Sequence, residues 1–118
     1  MASPLILLHD RECGFCRRGV ARVLSLDRDG LLSAVPIVSP EGDRLLRDLT
    51  PEQRLASWHV VDGRGRRWSA GRAAAPVLRR LRGLQWLAPV AEAFPGPVEL
   101  VYRLVARNRR TLGRLAKP

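Results

Sequence analysis

The 118-residue sequence predicts an α/β domain, a sandwich of helices around a small mixed sheet. Three observations point there. PLILLH, near the start, is an apolar run of strand length with no helical period. Amphipathic segments of helical period follow it, and β-branched and aromatic residues then flank an Asp-Gly turn at the middle of the chain. Strands alternating with helices pack as layers. The length supports one modest core, so a single domain over 1–118 is expected.

Pro4 to His9 is the first strand, ending at Asp10. From Cys13 the apolar residues Phe15, Val20, Val23, Leu24 and Leu26 are spaced for one helix face, while Arg17, Arg18, Arg22 and Arg28 mostly fall elsewhere. This helix should stop near Asp29-Gly30. Leu31 to Val38 reads as a second strand, with Pro36 arguing for a sheet edge or an early end. A short helix is expected around Asp43 to Leu49, with Pro40 before it and Pro51 after it. Trp58 to Val61 and Arg66 to Ser69 then form a hairpin across Asp62-Gly63.

After Gly71, RAAAPVLRRLRGL is helical, with Pro76 either inside the first turn or delaying the start. QWLAPVAEAFPGP holds three prolines and reads as a loop or broken helix. Pro97 suits the first position of a last, basic amphipathic helix within about 95–118. Its apolar face would carry Val98, Val101, Leu104, Val105, Leu112 and Leu115, and its basic face Arg103, Arg107, Arg110 and Arg114.

Hydrophobic residues make up 46% and charged residues 27%, a balance that excludes a disordered chain. No stretch is long and apolar enough to span a membrane. MASPLILLHD has neither a basic start nor a small-residue cleavage site, so a secretory signal is not expected, and the cytoplasm is the expected compartment. The formal charge is +10, with 21 basic residues of which Lys117 is the one lysine. Contact with nucleic acid or anionic lipid would account for it, and so would a coding bias toward arginine.

The two cysteines lie in CGFC, just after the first strand and at the opening of a helix. Unpaired N–H groups and the positive dipole end at a helix start stabilise a thiolate, which makes Cys13 the nucleophile. Cys16, one turn on, is spaced to resolve a mixed disulfide formed at Cys13. Arg11, Arg17 and Arg18 add positive charge near the sulfurs, and Asp10 and Glu12 oppose it. Asp10 admits two roles, capping the helix or the turn before it, or accepting a proton from the resolving thiol. Phe15 is either a partner contact or core.

A cysteine pair has other uses. Zinc needs four ligands, and only His9 and His59 remain beside the cysteines, without finger-like spacing. Haem attachment needs a histidine where Arg17 stands. Two inert buried thiols are the third alternative. No cofactor and no metal are expected.

With the strand, Asp10, Cys13 and Cys16 placed, the chain resembles the DCC family of predicted thiol-disulfide oxidoreductases, named for an Asp-x-x-Cys-x-x-Cys motif. SWHVVDGRGRRWSAGRAA is similar to the family's hairpin and the glycine after it, and YRLVARNRR to its closing stretch, with Tyr102, Asn108 and Arg109 on the motif. The resemblance implies a thioredoxin-like three-layer fold with a C-terminal helical extension, and disulfide exchange at Cys13 and Cys16. His9 stands where family members usually carry tyrosine, and Arg11 where they carry glycine. Thioredoxins place a cis-proline against their cysteine pair; LASWHVV has no proline, and Ser57 and Trp58 fall in that region. Packing of the last helix is the simpler role for Tyr102, Asn108 and Arg109.

Two functions follow as expectations. The first is a thiol-disulfide oxidoreductase acting on a protein or small-molecule thiol or disulfide and reset by a reductant that the sequence does not identify. The second is a non-catalytic binding module in which the basic last helix and the GRGRR hairpin tip contact nucleic acid or an anionic membrane. With aromatic residues at 5%, a base-stacking platform is not expected.

Overall fold

The computed structural model describes residues 3–107, apart from the side chain of Phe15. Asn108, Arg109, Arg110, Leu112, Arg114 and Leu115, assigned above to the last helix, lie outside the described residues. Four strands, β1 (Leu5–His9), β2 (Leu32–Pro36), β3 (His59–Asp62) and β4 (Arg67–Ser69), form one mixed sheet in the order β2-β1-β3-β4. β1 runs parallel to β2, with Leu7 opposite Ala34, and antiparallel to β3, with Leu7 opposite Val60. β3 and β4 make the expected antiparallel hairpin. Its Asp62 carboxylate accepts from the Arg64 and Arg66 N–H groups across the turn.

Leu5 to Leu8 of β1 are all apolar because the strand is covered on both faces. Leu5 and Leu7 join Val20, Leu32, Val60, Val77 and Leu81 on one side; Leu8 joins Ile37, Leu46 and Val61 on the other. Leu5, Leu7 and Leu8 are wholly buried, and burying such a side chain contributes about 1.5–3 kcal/mol. The first cluster draws on α1 (Gly14–Ser25) and α4 (Ala74–Arg79), the second on the segment around α2 (Pro40–Leu45). Helices thus cover both faces of the sheet, an α/β arrangement compatible with a thioredoxin-like fold.

Several boundaries differ from expectation. α1 ends at Ser25, with Leu26 as its C-cap, and Asp27 then accepts from the Leu31 and Leu32 N–H groups, so side-chain bonds carry the chain into β2. β2 is shorter than Leu31 to Val38 and does lie at the sheet edge, where Pro36 removes no ladder bond. α2 starts at Pro40, earlier than Asp43, because Ser39 caps it by accepting from Gly42 N–H at 3.0 Å. Pro51 opens a helix rather than closing one: α3 (Pro51–Leu55) has a capping box between Thr50 and Gln53, with Pro51 in its first turn.

The segment after Gly71 is also broken up. A 3-10 turn (Ala70–Ala73) precedes α4, with Pro76 in the first turn of α4. QWLAPVAEAFPGP contains α5 (Leu87–Ala93), and α6 (Pro95–Arg107) begins two residues before Pro97. Prolines need no donor in a helix's first turn, so neither Pro89 nor Pro95 interrupts.

The face expected for α6 requires correction. Val101 is 59% and Leu104 48% exposed, while Val98, Glu99, Tyr102, Val105 and Ala106 turn toward the protein. Two polar contacts rotate the helix this way. Glu99 accepts from Gly71 N–H at 3.0 Å, and the Tyr102 hydroxyl accepts from Trp58 N–H at 3.4 Å. Hydrophobic spacing alone does not reveal bonds of that kind.

Candidate active site

β1 delivers the chain to Asp10, and a tight turn leads from there into α1. The Asp10 carboxylate accepts from Glu12 N–H at 3.0 Å, and its carbonyl accepts from Cys13 N–H at 3.3 Å. Asp10 thus closes the turn that leads to Cys13 with both its carboxylate and its carbonyl.

Cys13 is the N-cap of α1, with an extended backbone at φ −88° and ψ 112°. Its sulfur accepts from Cys16 N–H at 3.3 Å, and its carbonyl accepts from Arg17 N–H. A sulfur in the N-cap position occupies the place of a capping oxygen, facing an otherwise orphaned helix donor. No disulfide joins Cys13 and Cys16 in this structure, and both side chains are half-buried. The two thus differ in position along the helix rather than in exposure.

The charged neighbours are spread unevenly. Arg11, Glu12 and Arg17 are exposed, whereas Arg18 is half-buried with its guanidinium 3.4 Å from where a Cβ on Gly14 would sit. His9 and His59 are far apart in role. His59 is buried, with Nε2 at 2.9 Å from the Arg54 carbonyl and Nδ1 at 2.6 Å from the Ser69 hydroxyl. A carbonyl only accepts, so Nε2 carries a proton, and in the neutral ring Nδ1 accepts from the Ser69 hydroxyl. Burial pushes its pKa down, although the bond to the Arg54 carbonyl opposes this. His9 also has its pKa lowered by burial, against the opposing influence of Asp10, and its Nδ1 is buried without a hydrogen-bond partner among the described residues. Among the described residues no three His, Cys, Asp or Glu side chains gather as a metal site.

Beside Cys16 lies a cavity of about 220 Å³. Cys16, Gly19, Val20 and Val23 of α1 form one wall, and Tyr102, Val105 and Ala106 of α6 the opposite one. Leu55, Ser57 and Trp58, leading into β3, close a third side, and His9 and Asp10 lie at the end of β1. The sequence pointed to Ser57 and Trp58 by analogy alone; it missed Gly19, Leu55 and the α6 wall. A glycine inside an otherwise regular helix was the available signal.

The basic features read as a binding surface are partly engaged within the chain. At the hairpin tip Arg66 bonds Asp62 at 2.9 Å and lies over the Trp68 ring, and Arg67 makes a two-pronged bond to Asp48. On α6, Arg103 pairs with Glu99. No helix among the described residues is long and apolar enough to cross a membrane.

An α/β domain whose central strand feeds a cysteine pair at a helix N-terminus defines a class of proteins built around paired thiols. A family model described as DCC1-like thiol-disulfide oxidoreductase matches residues 7–115, and the chain belongs to that family. The chain is also similar to the uncharacterized protein YuxK of Bacillus subtilis (strain 168), at 34% identity over 106 residues, 88% of this chain and 77% of the relative. No solved structure matches it.

Proposed function

We propose that this protein is a thiol-disulfide oxidoreductase in which Cys13 attacks and Cys16 resolves. The observation that supports this most directly is the Cys13 sulfur in the N-cap position of α1, receiving the Cys16 N–H. The Cys13 thiolate attacks one sulfur of a substrate disulfide; that S–S bond breaks, and the second substrate sulfur leaves as a thiolate and takes up a proton. Cys16, deprotonated, then attacks the Cys13 sulfur. This breaks the mixed disulfide, releases the remaining substrate thiol and leaves a Cys13–Cys16 disulfide. The substrate gains two electrons, the protein loses two, and a dithiol reductant restores the pair. Run backward, the same steps oxidise a dithiol.

In this reading Asp10 positions Cys13 through the turn it holds, and Arg11, Arg17 and Arg18 supply positive charge around the sulfurs. The reducing cytoplasm, where such pairs serve catalysis rather than stability, is the compartment that fits.

The test is the division of labour between the cysteines. Changing Cys16 to serine removes the resolving thiol, so mixed disulfides at Cys13 accumulate and are recovered from cell extract as adducts that a reductant releases. Cys13→Ser should give none above background. Equal capture by both variants would overturn the assignment.

A further inference from the structure

Gly19 is unforced by its surroundings. It lies in the interior of α1, where glycine is less favourable than alanine, and a Cβ built there meets nothing within 4 Å among the described residues. Its backbone is not left-handed, and among the described residues no neighbour approaches closely enough to exclude a side chain. Gly42 and Gly71 differ in this respect, since a Cβ on either would collide with a neighbouring segment. Gly19 lines the cavity beside Cys16, so a large side chain there would have that space next to it.

The size of that cavity limits its occupant. At about 220 Å³ it falls below the roughly 300–1,000 Å³ of pockets that enclose a whole small molecule, yet it has room for one side chain. Val20, Val23, Leu55, Trp58, Val105 and Ala106 make its surface mainly apolar. Its place beside the reacting sulfurs fixes how an occupant arrives. Cys16 forms part of the wall, and its N–H lies 3.3 Å from the Cys13 sulfur. A substrate cysteine joined to Cys13 has its Cβ about 3.5–4.5 Å from the Cys13 Cβ. Its neighbours in a polypeptide are one step of about 3.8 Å away, within reach of the opening.

From this juxtaposition we propose that the cavity receives an apolar side chain next to the reacting cysteine of a polypeptide substrate, and that Gly19 keeps its mouth open. The proposal rests on the oxidoreductase reading and names its substrate class: disulfides flanked by an apolar residue such as leucine. Burying that side chain between α1 and α6 holds the substrate against Cys13 while the S–S bond exchanges, which raises the rate for such substrates over polar ones.

The experiment compares two disulfide-linked peptide dimers, identical except for leucine or serine beside the cysteine, as oxidants of the reduced full-length protein. Each rate is divided by that of dithiothreitol with the same peptide, which removes intrinsic reactivity. The wild type should prefer the leucine peptide about tenfold or more. Gly19→Leu, which fills the cavity from α1, and Ala106→Leu, which fills it from α6, should each bring the ratio close to one. Equal wild-type rates for the two peptides overturn the cavity proposal and leave the oxidoreductase reading standing, as does an unchanged ratio in both folded variants. Failure of the wild type to exchange with either peptide or with glutathione disulfide overturns the oxidoreductase reading itself.

Discussion

Two glycines of this chain carry opposite messages at the scale of a single residue. Where Gly19 leaves space unused, Gly42 has none: a Cβ there would lie 2.1 Å from the Ile37 carbonyl oxygen and 2.9 Å from that of Pro36. Those carbonyls belong to backbone at the end of β2 and cannot swing away as a side-chain tip would. Gly42→Ala should therefore destabilise the protein by about 1–3 kcal/mol in urea unfolding, although alanine is the better helix former. A stability equal to the wild type would show that α2 moves freely against β2. Asp62 is a third residue set by close surroundings. Burial raises its pKa, but bonds from the Arg66 and Arg64 N–H groups and the Arg66 guanidinium outweigh this and hold the carboxyl below its ordinary value.

Elements divide into those written in local pattern and those set by distant contacts. β1, α1 and the β3–β4 hairpin were legible because an apolar run, a helical period and an Asp-Gly turn each identify themselves within a few residues. The cysteine pair was legible for the same reason. Proline misled in one direction: Pro51 and Pro95 open helices at positions where sequence reading favoured an end or a loop. The cavity was not legible, because its walls come from residues 9–23, 55–58 and 102–106, brought together only by the fold. Tyr102 joins two of those walls through the Trp58 N–H. Tyr102→Phe keeps the ring and removes the acceptor, leaving a partly buried donor unmet. A loss of about 0.5–1.5 kcal/mol is expected, together with a changed amide shift for Trp58. An unchanged Trp58 amide would mean that the hydroxyl does not make this bond in solution.

For the whole molecule, stability should depend on pH in a defined sense. Burial lowers the pKa of both His9 and His59 from 6.5, so below that value the unfolded chain takes up protons that the fold resists. Stability should be greatest above about pH 7 and decline as the solution becomes more acidic. A second loss comes lower. The two-pronged bond from Arg67 draws the pKa of Asp48 from 3.8 to about 2, giving a contribution that is complete above the unfolded value and disappears as pH falls through about 2. Melting temperature measured from pH 8 to pH 2 should trace both steps, and His59→Gln should flatten the first; a profile level from pH 8 to pH 5 would refute the histidine contribution. The sheet order adds a mechanical consequence. β1 is bonded on both sides and buried on both faces, and the turn that holds Cys13 continues directly from it, whereas α6 is docked along one side through Glu99 and Tyr102, with Val101 and Leu104 left exposed. Cooperative units with fewer buried contacts open at lower free energy. The cavity thus has one stiff jaw, carrying the sulfurs, and one compliant jaw that yields to side chains of different shape without disturbing the anvil on which the bond is exchanged.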